Sequence, residues 1–329
     1  PAALGGHRIS VLRLVRGERM AEAALPFAGI GLSRFRLDEA LLAHAAASGA
    51  RVRRASTITG VRRNTQPDGR IGERSPGTLT LDMAGLPAIQ ASTLFLATGK
   101  HDLRGLRRLP ARVPEDLIGF KAHFALAADQ VRAVAGHVEV IMFPDGYAGL
   151  QLVEAGRANL CLLTSRQRLR RCGGQWDAVL ADLLHDSPHL RRRLAGAAGL
   201  AVRPATIYRV PYGFVHTPSA ADAADVFRLG DQIGVIPSFA GDGMSIALHS
   251  ASVAVACYLA GLPAIAYHRR MRRDISRQIR RASALYSLAR WSGGQAVLMA
   301  LACAWPGGVR IAARLTQLPE RAEPIFNAD

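Results

Sequence analysis

The stretch Phe227-Arg-Leu-Gly-Asp-Gln-Ile-Gly-Val-Ile-Pro-Ser-Phe-Ala-Gly-Asp-Gly-Met244 sets exposed backbone beside a single carboxylate. Gly241 and Gly243 carry no side chain that would hold a ligand away from the main chain. The N–H groups and positive dipole end of the helix expected to follow them favour an anion or a carbonyl oxygen. Asp231, behind Gly230, can accept hydrogen bonds from sugar hydroxyls. Positioning these groups requires a strand, a loop and a helix in that order. Val226 to Leu229 read as a short strand, Gly230-Asp231 ends it, and Pro237 stiffens a loop that closes on Gly241-Asp-Gly243. A helix then runs to Ala260, where Gly261 and Pro263 stop it.

The spacing Gly230-Asp231, Pro237, Gly241-x-Gly243-Met244, Ala247 resembles the second flavin motif of the large FAD-dependent family that includes p-hydroxybenzoate hydroxylase, geranylgeranyl reductases and flavin halogenases. The resemblance implies that Asp231 binds the ribityl chain of FAD. It also implies that Gly241, Gly243 and Met244 lie against the pyrimidine edge of the isoalloxazine and stabilise negative charge there. The chain departs from the family at Gln232-Ile233-Gly234, where Ala-Ala-His is common.

Three other segments extend the resemblance. Leu94-Phe-Leu-Ala-Thr-Gly99 is similar to the family strand that passes the dinucleotide, which adds Thr98 and Gly99 to the cofactor set. Leu32-Ser-Arg34 precedes an expected helix over Leu37 to Gly49, followed by an expected strand near Val52; the family places an Arg close to the flavin at such a helix start, which nominates Arg34. Phe143-Pro-Asp-Gly-Tyr-Ala-Gly149, with the strand Asn159 to Leu163, resembles the substrate-domain hairpin of the geranylgeranyl reductase branch. The implied cofactor-binding set is thus Arg34, Thr98, Gly99, Gly230, Asp231, Pro237, Gly241, Asp242, Gly243 and Met244. Asp242 reads as a cap for the following helix rather than a base.

No Gly-x-Gly-x-x-Gly segment for the FAD pyrophosphate occurs in the sequence. The expectation is therefore a chain truncated at its N-terminus, lacking the first βαβ unit. The competing expectation is a non-catalytic remnant or a basic carrier-docking module.

The expected class is α/β with α+β elements. It comprises an N-terminally truncated, Rossmann-like FAD-binding domain, an inserted mixed-sheet substrate domain and C-terminal helices. Residues 1–31 read as substrate-sheet strands, 32–114 as part of the flavin domain, 115–210 as the substrate-binding sheet, 211–263 as the rest of the flavin domain and 264–329 as C-terminal helices. A helix is expected from Gln175 to Leu184 and a loop over Asn64 to Gly69.

The net charge of +17 comes almost wholly from arginine, Lys100 and Lys121 being the two lysines. Motifs and interleaved aromatics for nucleic acid are absent, so no nucleic-acid partner is expected. The run His268 to Arg281 carries Met271, Ile275 and Ile279 on one helical face. It reads first as a solvated basic face over a packed apolar stripe. The other reading docks an acidic carrier protein or an anionic membrane surface, where a greasy or carrier-bound substrate is collected. No run reaches the roughly 20 apolar residues of a spanning helix. Cys161, Cys172, Cys257 and Cys303 lack metal-ligand spacing and read as reduced thiols of a cytoplasmic protein, Cys161 and Cys257 buried; no metal is expected.

No Gly-x-Ser-x-Gly elbow supports a hydrolase. Lys121 and His123 alternate on a strand, and structural roles are preferred for them, as for Tyr147 and Tyr212. No general acid or base is nominated. The resemblance implies an FAD-dependent oxidoreductase, with NAD(P)H as reductant, that reduces carbon–carbon double bonds of a lipid-like or polyketide substrate. The alternative within the fold is a monooxygenase using NAD(P)H and oxygen on an aromatic or polyketide substrate. The Trp-x-Trp-x-Ile signature of the halogenase branch is absent, Trp176, Trp291 and Trp305 standing alone.

Overall fold

The computed structural model of the chain describes residues 2–63, 78–108, 117–201, 203–219 and 222–318. The loop expected over Asn64 to Gly69 lies outside them. Strands β1 (His7–Arg16) and β2 (Arg19–Gly31) precede helix α1 (Arg34–Ala47), and β3 (Ile58–Arg63), β4 (Leu79–Met83), β5 (Leu86–Ala91) and β6 (Leu94–Leu96) follow. Next come β7 (Leu117–Ala125), α2 (Ala128–Val134), β8 (His137–Phe143), β9 (Gly146–Leu152) and β10 (Ala158–Ser165). After these run α3 (Arg166–Arg171), α4 (Trp176–Asp186), α5 (Pro188–Arg193), β11 (Ala198–Gly199) and β12 (Ala205–Tyr208). The remaining described elements are β13 (Val226–Arg228), α6 (Gly243–Leu259), α7 (Ala264–Ala289), α8 (Ser292–Ala304) and α9 (Pro306–Leu315).

These elements form two units. The first takes in Pro1–Val52, Val113–Val210 and Ala284–Leu315, and the second Arg53–Arg112, Pro211–Ser283 and Thr316–Asp329.

In the first unit the sheet order is β11-β7-β10-β9-β8-β1-β2, with β12 also paired to β7. The β1–β8 ladder is parallel and the other ladders are antiparallel. One face gathers Ile118, Phe120, Ile141, Leu150, Leu160 and Leu162 against Val179 and Leu183 of α4 and Leu190 of α5. Each such side chain contributes about 1.5–3 kcal/mol by leaving water. The β8–β9 hairpin turns through Pro144 and Asp145, the latter at φ 68°. Gly146 is obligatory after that turn, because a Cβ there would lie 2.1 Å from the Leu163 carbonyl oxygen. Helix α1 begins at Ser33, whose hydroxyl accepts from the Arg36 N–H at 3.2 Å. Ser33 is itself held by Glu154, which receives its N–H at 2.8 Å and its hydroxyl at 2.5 Å. This anchor accounts for α1 grouping with the large sheet, where the sequence grouping had set residues 32–114 together.

Glu139 on β8 is fully buried and receives Arg13 Nη1 at 2.5 Å, His189 Nε2 at 2.8 Å and Arg193 Nη2 at 2.9 Å. Burial pushes its carboxyl up, but the hydrogen bonds from His189 and Arg193 and the His189 charge outweigh this and hold it at about 2.

The second unit holds the antiparallel sheet β3-β4-β5 and the parallel pair β13–β6, in register Val226↔Leu94, Phe227↔Phe95 and Arg228↔Leu96. Ile246, Val253, Ala254 and Cys257 of α6 form its core with Tyr267, Met271, Ile275 and Ile279 of α7. The stripe expected at Met271, Ile275 and Ile279 is thus completely buried, and Arg269, Arg272, Arg273, Arg277, Arg280 and Arg281 face solvent. His268 and Gln278 of the same run are also buried.

Two expectations are corrected. No strand forms at Val52: residues 50–57 carry no ladder, and a strand needs a neighbour to receive its N–H and C=O groups. Cys161 is half-buried rather than buried and accepts from Asn159 Nδ2 at 3.3 Å; Cys257 is buried as expected. Among the described residues no single helix is long and apolar enough to cross a membrane, and α8 with α9, which would pass together, bend by 115° at their junction.

Candidate functional site

The second unit brings together the turn after β6 and the turn after β13, because those two strands run parallel and end side by side. Leu229 N–H donates to the Leu96 carbonyl at 2.9 Å, so the strands stay in step up to their last residues. Residues 230–232 form a 3-10 turn that lies against α6. Gly230 adopts φ 54°, and a Cβ there would meet the Ala247 Cβ at 3.4 Å, so backbone conformation and close approach both select glycine. Ser250 ties turn to helix: its hydroxyl accepts the Gly230 N–H at 2.9 Å and donates to the Ala247 carbonyl at 2.7 Å.

Two side chains that sequence reasoning did not nominate staple the turns to each other. Gln232 is fully buried, and its Nε2 donates to the carbonyls of Gly99 and His101, each at 2.8 Å. Arg108 donates to the Asp231 carbonyl at 3.2 Å, the Lys100 carbonyl at 2.5 Å and Asp102 Oδ1 at 2.7 Å, and its guanidinium lies 5.5 Å from the Phe214 ring centre. The departure from Ala-Ala-His at Gln232 was the one signal of the first staple. Nothing local marks Arg108.

Against this frame the nominated residues separate. The Asp231 carboxylate is half-buried and takes no hydrogen bond or ion pair among the described residues, so its acceptor sites are available. Cβ atoms built at Gly99, Gly241 or Gly243 meet no atom within 4 Å, so nothing packs against the bare backbone at these three points. Gly99 and Gly241 are left-handed at φ 64° and 72°. Pro237 is buried at the start of the 3-10 turn Ser238–Ala240, and Met244 is half-buried in the first turn of α6. Thr98 is exposed, with its hydroxyl spent on the His101 carbonyl at 2.7 Å. Arg34 belongs to the first unit, where Asp38 grips its exposed guanidinium at 2.9 and 3.0 Å.

Asp242 stands at the N-cap position of α6 but makes no side-chain cap bond, which corrects the capping role expected of it. Its buried carboxylate bonds the Ser245 side chain, Gln278 Nε2 at 3.1 Å and the Leu318 N–H at 2.9 Å rather than an N–H of the first turn. Burial raises its pKa, because desolvation of the charged form outweighs those bonds. Tyr212 donates to or accepts from the Ser238 hydroxyl, and Lys100 Nζ stands 5.8 Å from the Tyr212 ring centre. Lys121 and His123 lie in the first unit on β7, where burial lowers the pKa of His123. Tyr147, in the same unit, is buried edge-on to Tyr286 with ring centres 6.4 Å apart.

A second cluster, His216, Asp222 and His268, also lay outside the sequence reading; its ligand atoms fall within 4.8 Å of one another. It is not set up for a metal. His268 Nε2 accepts the Arg228 N–H at 3.2 Å, so the neutral ring carries its proton on Nδ1, which faces Asp222 Oδ2 at 3.7 Å and offers no lone pair. Burial holds that ring neutral, its pKa lowered to about 3.

No protein-family model matches the sequence, and no curated protein matches it. Solved structures do. The flavin-dependent brominase Bmp2 superposes with a TM-score of 0.71 at 14% identity, over 96% of this chain and 78% of that one. A flavoprotein/dehydrogenase from Cytophaga hutchinsonii gives 0.71 at 15% identity, over 96% of this chain and 77% of that one. The halogenase PltM, in complex with phloroglucinol and FAD, gives 0.65 at 12% identity, over 97% of this chain and 73% of that one. The chain therefore has the α/β fold of these flavoproteins, a mixed sheet and C-terminal helices included.

Proposed function

We propose that the chain is an FAD-dependent oxidoreductase whose second unit receives the flavin at the turns after β6 and β13 and at the start of α6. The observation that carries this reading is one unengaged carboxylate, Asp231, on the turn that Gln232 ties to Gly99, together with open space at Gly99, Gly241 and Gly243. Open space at these glycines lets a ligand approach the main chain closely, and the Asp231 carboxylate offers it acceptors. The shared fold with flavin enzymes supports the reading as an analogy.

FAD, when bound, supplies the two-electron chemistry. The chain's own residues hold and orient it. Asp231 would accept hydrogen bonds from the ribityl hydroxyls, and the N-terminal N–H groups of α6 would favour negative charge beside Gly243. Gln232 and Arg108 fix the spacing of the two turns. The reductant is NAD(P)H, and the substrate is a lipid-like or polyketide molecule whose carbon–carbon double bond is reduced. A second reading, oxygen-dependent chemistry on an electron-rich ring, is favoured by the phloroglucinol bound in the PltM structure. Oxygen uptake coupled to NADPH oxidation in the presence of an aromatic substrate would select the second. The arginine face of α7 docks the carrier or membrane surface that presents the substrate, and such docking weakens as salt rises.

The test is the visible absorption spectrum of the chain after incubation with excess FAD and desalting. A retained flavin band in the wild type that is lost in Asp231→Ala is the expected result. A colourless wild type, or equal retention by both proteins, refutes the assignment.

A further inference from the structure

The second unit contains a cavity of about 320 Å³ lined by residues that the flavin assignment does not use. Its polar wall presents a buried guanidinium that no carboxylate pairs with among the described residues. Arg228 is 7% exposed, and its guanidinium finds only neutral acceptors, the Leu106 carbonyl at 3.1 Å and Gln232 Oε1 at 3.4 Å. No carboxylate lies within ion-pair distance of it among the described residues. A buried cation in that position is costly, since such groups are ordinarily paired. His268, 1% exposed, turns its Nδ1–H toward Asp222 Oδ2 at 3.7 Å, so the donor left for a ligand is the Arg228 guanidinium. Arg107 stands exposed at the rim.

The acidic groups beside the cavity are already committed. Asp222 receives His216 Nε2 at 2.9 Å and the Ser219 N–H at 3.0 Å, and Asp225 is ion-paired to Arg63. With Arg63 offset by Asp225 and one of the other two arginines by Asp222, one positive charge remains for a ligand to answer. The rest of the wall is apolar, formed by Val61, Leu79, Leu106 and Val226. The volume lies at the small end for ligand sites and is large enough for one ring with a head group.

We infer that this cavity binds a small organic monoanion, with its carboxylate on the uncovered edge of Arg228 and its apolar body against Val61, Leu79 and Val226. The excess of donors excludes a metal cation, and the single surplus charge selects a carboxylate over a phosphate dianion. This site adjoins the flavin turns through the Arg228–Gln232 contact, but none of its lining residues is assigned to FAD, so it stands whether or not the turns hold FAD.

The test uses the full chain without flavin and follows thermal melting with benzoate, with the neutral isostere benzamide and with inorganic phosphate. Benzoate at roughly ten times its dissociation constant raises the melting temperature by about 3 °C, while benzamide and phosphate leave it unchanged. Arg228→Met abolishes the benzoate shift and melts, ligand-free, at or above the wild type, because an unpaired buried charge is removed. Arg107 is exposed and outside the hydrogen-bonded wall, so Arg107→Ala keeps the fold and weakens benzoate at least about threefold in a calorimetric titration. The inference is overturned by equal shifts from benzoate and benzamide, or by a benzoate shift retained in Arg228→Met. It is equally overturned by a ligand-free Arg228→Met that melts well below wild type, or by unchanged benzoate affinity in Arg107→Ala.

Discussion

Replacing Gln232 tests whether one buried amide holds the two turns of the site together. In Gln232→Ala two N–H···O bonds of 2.8 Å disappear, and the carbonyls of Gly99 and His101 lose their donor. Each bond is worth about 0.5–1.5 kcal/mol net, and each acceptor left buried and unmet costs about 1–3 kcal/mol. His101 is exposed and Gly99 half-buried, so water repairs part of the second term, and the expected cost of holding the turns is about 2–3 kcal/mol. Tryptophan fluorescence will not see this, since Trp176, Trp291 and Trp305 all belong to the first unit. The assay is amide hydrogen exchange read by mass spectrometry on peptides covering residues 94–108. Protection there should fall by roughly 30- to 150-fold in Gln232→Ala, with β7–β10 unchanged. Protection in Gln232→Ala within about threefold of wild type would refute the staple.

Glu139 predicts a pH dependence. Its folded pKa of about 2 lies below the ordinary 4.5, so its stabilisation is fully present above about pH 5 and is lost as pH falls toward 2. That contribution is about 3 kcal/mol, and Glu139→Gln should remove the acid slope measured by urea denaturation between pH 5 and 2 while costing about 3–5 kcal/mol at pH 7. Asp242 behaves oppositely. Because its folded pKa is raised, the ionised form costs stability as pH rises, so Asp242→Asn should melt at or above wild type at pH 7. Asp242→Ala should melt lower, having left Leu318 N–H and Gln278 without an acceptor. Gly230→Ala, forced to φ 54° against Ala247, should lose about 1–2 kcal/mol by urea titration and retain less FAD after desalting.

The parts of the site that depend on neighbours in sequence were readable before folding. Gly230, Gly241 and the start of α6 are set by backbone conformation, and the stripe Met271, Ile275 and Ile279 is set by helical period, so both survive into the structure. The staples were not readable, because Gln232 reaches carbonyls 131 and 133 residues away and Arg108 one 123 residues away. Side chain to main chain bonds of that span leave no local pattern. The same holds for Arg193, which turns inward to Glu139 on another element. Val52 shows the converse, since its residue types suit a strand and no partner strand forms beside it.

The scarcity of lysine has a practical use. Lys100 lies beside Gly99 and over the Tyr212 ring in one unit, and Lys121 lies on β7 in the other. An amine-reactive reagent therefore footprints each unit at a single side chain, and the ratio of the two modifications needs no external standard. Anything that settles on the turn at Gly99 should shield Lys100 and leave Lys121 as the built-in reference, which makes occupancy countable on a mass spectrum without a chromophore or a turnover assay.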